Sequence, residues 1–230
     1  METVLITGAN RGVGFGFVKA YLEHGYQVIA CCRLPDTAIE LQSLSTEYSD
    51  RLLIEQLDVT NSTDFDRLSA KYKHFKIDIL INNAGVISKY FDKLTLVQTN
   101  VEEVLKTLEI NALGTMRSIQ CFESNLAFSS NPRIINMASL AGAISSANGF
   151  GYAYRMSKCA LNMLTACYAK ENTKVISVAL RPGWVKTAMG GVGANLEVSE
   201  SEAKMITIIN NLQSSDSGRF IDLELQDSPW

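Results

Sequence analysis

Tyr154 and Lys158 stand four residues apart in the stretch Tyr152-Ala153-Tyr154-Arg155-Met156-Ser157-Lys158. That stretch reads as helix, so the two side chains share one face. A free tyrosine is a poor acid at neutral pH, with a pKa of roughly 10. A fixed ammonium beside it favours phenolate and lowers that pKa, so the pair could give or take a proton near physiological pH. The same two residues would also suit an ordinary surface helix. Tyr152 is six residues from Lys158 and falls on another face. Ser139, fifteen residues before Tyr154, offers a hydroxyl to a substrate oxygen, although Ser145 and Ser146 close by make a plain loop serine the competing reading. Asn111 interrupts a helical pattern in which asparagine is a poor former, and reads as a local break that binds water.

These residues need a scaffold, and the chain alternates strand and helix. Short apolar runs at 4–6, 26–32, 52–57, 77–81, 133–137, 175–180 and 220–223 read as seven strands. Helices are expected at 16–25, at 61–72 with Asp and Ser suited to capping its start, at 101–122 with Val104, Leu105, Leu108 and Ala112 on an apolar stripe, and around Tyr154. Strands this apolar are covered on both faces, as in a parallel sheet. The expected fold is α/β: a Rossmann-type, doubly wound, mainly parallel seven-stranded sheet with helices on both faces, whose ligands lie beyond the carboxyl ends of the strands. Residues 1–230 read as one dinucleotide-binding domain with 184–203 as a short substrate loop, and the glycines of 187–203 mark that loop as mobile.

Two turns fall at those carboxyl ends. Thr7-Gly8-Ala9-Asn10-Arg11-Gly12-Val13-Gly14 follows the first strand. Its glycines let backbone approach a pyrophosphate, and the next helix offers its N-terminal amides. A tight strand–helix turn is the plainer alternative. Asn82-Asn83-Ala84-Gly85 follows the fourth strand and leaves room for a cofactor over the sheet edge, or is an asparagine-rich turn.

The chain has 230 residues, 47% of them hydrophobic, which is enough for a core, and a net charge of −3. There is no global pull toward nucleic acid or anionic membrane. The apolar runs are strand-sized, so membrane insertion is not expected, and no charged leader precedes Val4. The five cysteines lack metal-ligand spacing, and no metal is expected; they read as reduced, mostly buried thiols of a cytoplasmic protein.

The ordered set of residues 7–14, Asn82 to Gly85, Asn111, Ser139, Tyr154 with Lys158, and Pro182-Gly183 resembles the short-chain dehydrogenase/reductase family over nearly the whole chain. Ala30-Cys31-Cys32-Arg33, Arg181-Pro182-Gly183-Trp184-Val185 and Pro229-Trp230 look like its subgroup of Sniffer-type carbonyl reductases and C-factor-like proteins. The resemblance implies that Tyr154 is the acid in carbonyl reduction and the base in alcohol oxidation. It implies that Lys158 lowers the tyrosine pKa and binds the nicotinamide ribose, that Ser139 orients and polarises the carbonyl, and that Asn111 holds a water relaying protons toward Lys158. It assigns cofactor contacts to Gly8, Asn10, Arg11, Gly12, Val13 and Gly14, to Asp58 and Val59, to Asn83, Ala84 and Gly85, and to Pro182, Gly183, Val185 and Thr187, besides Tyr154 and Lys158.

Cofactor choice turns on the end of the second strand. An acid there would accept the ribose hydroxyls of NAD, and an arginine would pair with the 2′-phosphate of NADP. Cys32 stands at that place with Arg33 next, Arg11 adds charge from the glycine loop, and Asp36 lies beyond Pro35. NADP(H) is therefore favoured over NAD(H), with a solvated loop arginine as the plain reading of Arg33. Trp184, Met189, Val192, Phe150 and Tyr152 suggest an apolar or aromatic carbonyl substrate (aldehyde, ketone or quinone). The family resemblance implies a homodimer, with a tetramer as an alternative, built on the 101–122 helix and the Tyr154 helix. The competing functional class is a cofactor-binding signalling or scaffold protein of C-factor type.

Overall fold

The computed structural model describes residues 1–88, 91 and 94–230. Strands β1 (Thr3–Thr7), β2 (Gln27–Cys32), β3 (Leu52–Gln56), β4 (Ile79–Asn82), β5 (Arg133–Met137), β6 (Ile176–Leu180) and β7 (Phe220–Ile221) form one sheet in the order β3-β2-β1-β4-β5-β6-β7. Every ladder is parallel. The chain fills one half of the sheet from β1 outward to β3 and then crosses over to start the other half at β4. A crevice therefore opens beyond the carboxyl ends of β1 and β4.

The β1 run shows why both faces must be covered. Val4 and Ile6 point into a core with Phe17, Tyr21 and Leu22 of α1 (Gly12–Glu23) and Met205 and Ile209 of the C-terminal helix Val198–Asn211. Leu5, between them, packs on the other face with Phe65, Phe122 and Tyr168. Each such buried side chain contributes about 1.5–3 kcal/mol relative to exposure. Two of the helices completing these layers, α2 (Ile39–Glu47) and α3 (Ser62–Lys71), flank β3, and Asn61 caps α3 by accepting from the Thr63 amide at 3.0 Å.

Four expectations change. The helix after β1 begins at Gly12, four residues early, so its first turn belongs to the glycine motif. The expected 101–122 helix is α4 (Val101–Leu108), a π turn (Glu109–Leu113) and α5 (Gly114–Leu126). The break falls on Asn111, whose side chain hydrogen-bonds across to Val86 and Ser157. Helix α6 (Tyr152–Glu171) follows β5. The 184–203 loop ends early, because α7 (Val198–Asn211) starts with a Glu197–Glu200 capping box. Helices α2 and α7 had no sequence expectation of their own, although α7 buries Met205, Ile206, Ile208 and Ile209. Among the cysteines, Cys31 and Cys32 are buried, Cys121 and Cys159 partly so, and Cys167 is exposed, all as free thiols.

Candidate active site

Three strand ends converge on the crevice. At β1, Gly8 and Gly12 have φ of +67° and +55°, which favours glycine. A Cβ on Gly14 would lie 2.3 Å from the Gly8 carbonyl oxygen. Arg11, at the N-cap of α1, makes no side-chain cap, and no acid stands in the first turn. The α1 amides therefore face the crevice with no protein partner to neutralise them, which suits a pyrophosphate. Asn10 and Val13 in the same turn are partly exposed.

At β4, Asn83 ties the two strand ends together. Its Nδ2 donates to the carbonyls of Thr7 and Gly8 at 3.0 Å each, and the Thr7 hydroxyl accepts from the Asn83 and Ala84 amides at 3.1 Å. Asn83 thus acts as a brace for the glycine turn. Gly85 sits where a Cβ would be 3.2 Å from Asn111 Oδ1 and 3.8 Å from Lys158 Nζ, so the backbone passes close between these side chains.

At β5, the chain leaves Met137 and turns through Ser139. The Ser139 hydroxyl accepts from the Ala141 amide at 3.2 Å and lies near enough to the Tyr154 phenol to lower its pKa. Gly142 in this turn is pressed on α6; a Cβ there would be 2.7 Å from the Lys158 carbonyl carbon. Lys158 is buried, its Nζ donating to the Met137 carbonyl at 2.6 Å and lying 5.7 Å from the Tyr154 ring centroid. Burial brings the Lys158 ammonium down to about 8. Burial pushes the Tyr154 phenol above its ordinary value, while the Ser139 hydroxyl pulls it down. The expectation that Lys158 by itself depresses the tyrosine is not met here: the desolvation that weakens the lysine charge also disfavours phenolate. Tyr152 is partly exposed at the first turn of α6.

Asn111 is fully buried, and its side chain is spent on protein partners. Its Oδ1 accepts from the Val86 amide at 2.8 Å, and its Nδ2 donates to the Val86 carbonyl and to Ser157 Oγ at 2.9 Å each. It fixes the chain after Gly85 against α6. The remaining candidates ring this centre. Thr187 faces Gly12, its Cγ2 3.3 Å from a Cβ built there. Pro182 receives the Ser201 hydroxyl at 2.7 Å, Gly183 has φ +76°, and Val185 is buried and bridged to Leu196. The Asp58 carboxylate is turned onto Thr60, accepting from its amide at 2.9 Å, and Val59 is buried against Gly114. Cys32 is buried at the end of β2, whereas Arg33, Arg11 and Asp36 are exposed. Neither arginine forms an ion pair with a described residue. The cradle of glycines, the uncapped α1 and two unpaired arginines fit a phosphorylated dinucleotide.

Sequence reasoning missed Phe91, whose ring meets Tyr154 edge-on, with centroids 5.6 Å apart and planes at 87°. No periodicity or motif marks it. It missed Gly142 too, although a glycine just after the serine was the available sign. No group of three or more metal-ligating side chains occurs among the described residues, and none of their helices is long and apolar enough to cross a membrane.

Comparisons with known proteins agree with this geometry. The model of the short chain dehydrogenase family matches residues 2–195. The C-signal protein of Myxococcus xanthus is 35% identical over 157 residues, covering 67% of this chain and 93% of its own length. The carbonyl reductase Sniffer of D. melanogaster superposes with a TM-score of 0.93 at 31% identity over 100% of both chains. The NADPH-bound carbonyl reductase from chicken fatty liver does so at 0.92 and 33%, over 100% of this chain and 99% of its own.

Proposed function

The chain belongs to the short-chain dehydrogenase family, and on that premise we propose that it is an NADP(H)-dependent carbonyl reductase in which Tyr154 gives the proton. The observation that carries the reading is the convergence of Ser139, Tyr154 and Lys158 beside the glycine cradle of β1. A bound nicotinamide cofactor supplies the hydride. The residues of this chain do the rest. Residues 8–14 and the α1 amides hold the pyrophosphate, and Arg11 and Arg33 pair with the 2′-phosphate. The Ser139 hydroxyl orients the carbonyl oxygen and stabilises the charge that develops on it. Tyr154 hands its proton to that oxygen in reduction and takes it back in alcohol oxidation. Lys158 adds positive charge beside both. Asp58, Val59, Asn83, Ala84, Gly85, Pro182, Gly183, Val185 and Thr187 complete the cofactor contacts by family likeness, and Asn111 holds the backbone around them.

The wall beside Tyr154 carries Phe91 and Phe150, with ring centroids 5.8 Å apart, which favours an apolar or aromatic aldehyde, ketone or quinone. The protein is read as a single dinucleotide-binding domain acting in the cytoplasm. A panel of such carbonyls with NADPH and NADH tests this. Tyr154→Phe is expected to lose at least about 10²-fold in turnover while keeping NADPH affinity. In the same titrations NADPH should bind more tightly than NADH, and Arg33→Ala should narrow the gap; tighter NADH binding by the wild type would reverse the cofactor assignment.

The likeness to C-signal favours a second reading, a cofactor-binding signalling protein that uses catalysis little. Unchanged biological activity of Tyr154→Phe would favour it.

A further inference from the structure

Arg155 adjoins Tyr154 in the chain, yet its side chain runs back to the turn that carries Ser139. Its Nε donates to the Phe150 carbonyl at 2.9 Å, and one terminal nitrogen reaches the carbonyls of Ser146 at 3.1 Å and Ala141 at 3.4 Å. The guanidinium also lies over the rings of Phe91 and Phe150, at 5.8 and 5.4 Å from their centroids. One rigid, planar group thus joins α6, the 141–146 turn and the aromatic wall. Only arginine carries enough donors in a fixed fork for this. Other holds act on the turn as well: Ser146 Oγ closes it internally on Leu140 and Ala143, Asn162 reaches Gly142 at 3.4 Å, the Ser145 amide donates to the Trp230 carbonyl at 3.3 Å, and Gly142 packs on α6, but among the described residues Arg155 alone ties both ends of the turn to the aromatic wall.

We infer that Arg155 is a positioning residue: it locks the 139–146 turn to α6 so that the Ser139 hydroxyl stays aimed at the oxygen served by Tyr154. This rests on the assignment of Ser139 and Tyr154 given above. A misplacement of about 1 Å in such a group can lower turnover by about 10²-fold.

Two measurements decide it. The first needs no turnover: amide hydrogen exchange in Arg155→Gln. Exchange at Ala141, Gly142 and Ala143 should rise at least about tenfold while α6 and the sheet keep their protection; unchanged exchange there overturns the clamp. The second is a double-mutant cycle on kcat for carbonyl reduction. Ser139→Ala should cost about 10²–10³-fold and Arg155→Gln about tenfold or more, with NADPH affinity retained in both. In the Ser139→Ala background, Arg155→Gln should cost little further, because residues acting as one unit are not additive. Additive losses, or a loss in Arg155→Gln with none in Ser139→Ala, overturn the route through Ser139. Arg155→Lys keeps the charge but cannot fork, and should resemble Arg155→Gln; full activity in it overturns the geometric argument. If Arg155→Gln does not fold, Arg155→Lys carries both measurements. A wild type that reduces no carbonyl defeats the enzymatic reading, and the exchange result still decides the clamp.

Discussion

At the scale of single residues, the site is a contest between burial and charge. Lys158 is ionised at neutral pH against a desolvation cost that lowers it from 10.5 to about 8. The folded protein releases that proton earlier than the unfolded chain does. Between about pH 8 and 10.5 the unfolded state binds more protons, so this residue makes the fold more stable as pH rises through that window; below pH 8 its cost is constant. Lys158→Met should therefore be inactive, and its melting temperature relative to wild type should be highest below pH 8 and decline toward pH 10. A difference that stays flat with pH would mean that the ammonium is not penalised by burial. The tyrosine obeys the opposite sign. Reduction needs the protonated phenol, so kcat/KM for reduction should hold on the acid side and fall as pH rises through the phenol's pKa. Burial moves that fall upward.

At the scale of elements, the site is built by close approaches that only small residues permit. Gly14 lets the first turn of α1 reach the Gly8 carbonyl, and Asn83 crosses from β4 to brace the same atoms. Gly14→Ala would place a methyl 2.3 Å from that carbonyl oxygen and 2.4 Å from Asn83 Nδ2. Overpacking of this kind costs about 1–3 kcal/mol. The variant should melt at least a few degrees lower and bind NADPH at least about tenfold more weakly, as read by thermal scan and fluorescence titration; unaltered affinity would take the glycine turn out of the cofactor site. The motif spacing made this turn legible in the sequence, because strand, glycines and helix follow in order. The brace was not legible. Asn83 reads as a turn former, and only the crossover that sets β4 beside β1 brings it to Gly8. Asn111 was legible as a break, but the partners its side chain holds were not, since Val86 and Ser157 lie far from it along the chain.

At the scale of the molecule, one face remains apolar. Val101 and Leu105 of α4, Leu113 of the π turn, Met116 of α5 and Met163 of α6 are all exposed. A groove of about 490 Å³ lies among Leu105, Leu108, Ala112, Leu113 and Ala160, with Glu102, Lys106 and Glu109 at its edge. Exposed apolar surface is a common feature of interfaces. We propose that this face is the seam of the homodimer the family resemblance implies, with α4 and α6 facing their copies across a two-fold axis. Sizing at micromolar concentration should give a dimer for the wild type and a monomer for Leu105→Glu; a monomeric wild type would remove the interface.

The sequence by itself determined the doubly wound α/β fold and the spacing of Tyr154 and Lys158. Uninterrupted apolar strands call for a sheet covered on both faces, and the four-residue spacing of Tyr154 and Lys158 holds on any helix. Local physics suffices for both. What only tertiary structure decided is the environment of those residues: that burial raises the Tyr154 phenol while Ser139 lowers it, which carbonyls Arg155 reaches, and that Phe91 stands edge-on to the phenol. Phe91 comes from a segment distant in sequence and Arg155 folds back within its own neighbourhood, and neither periodicity nor spacing carries either contact.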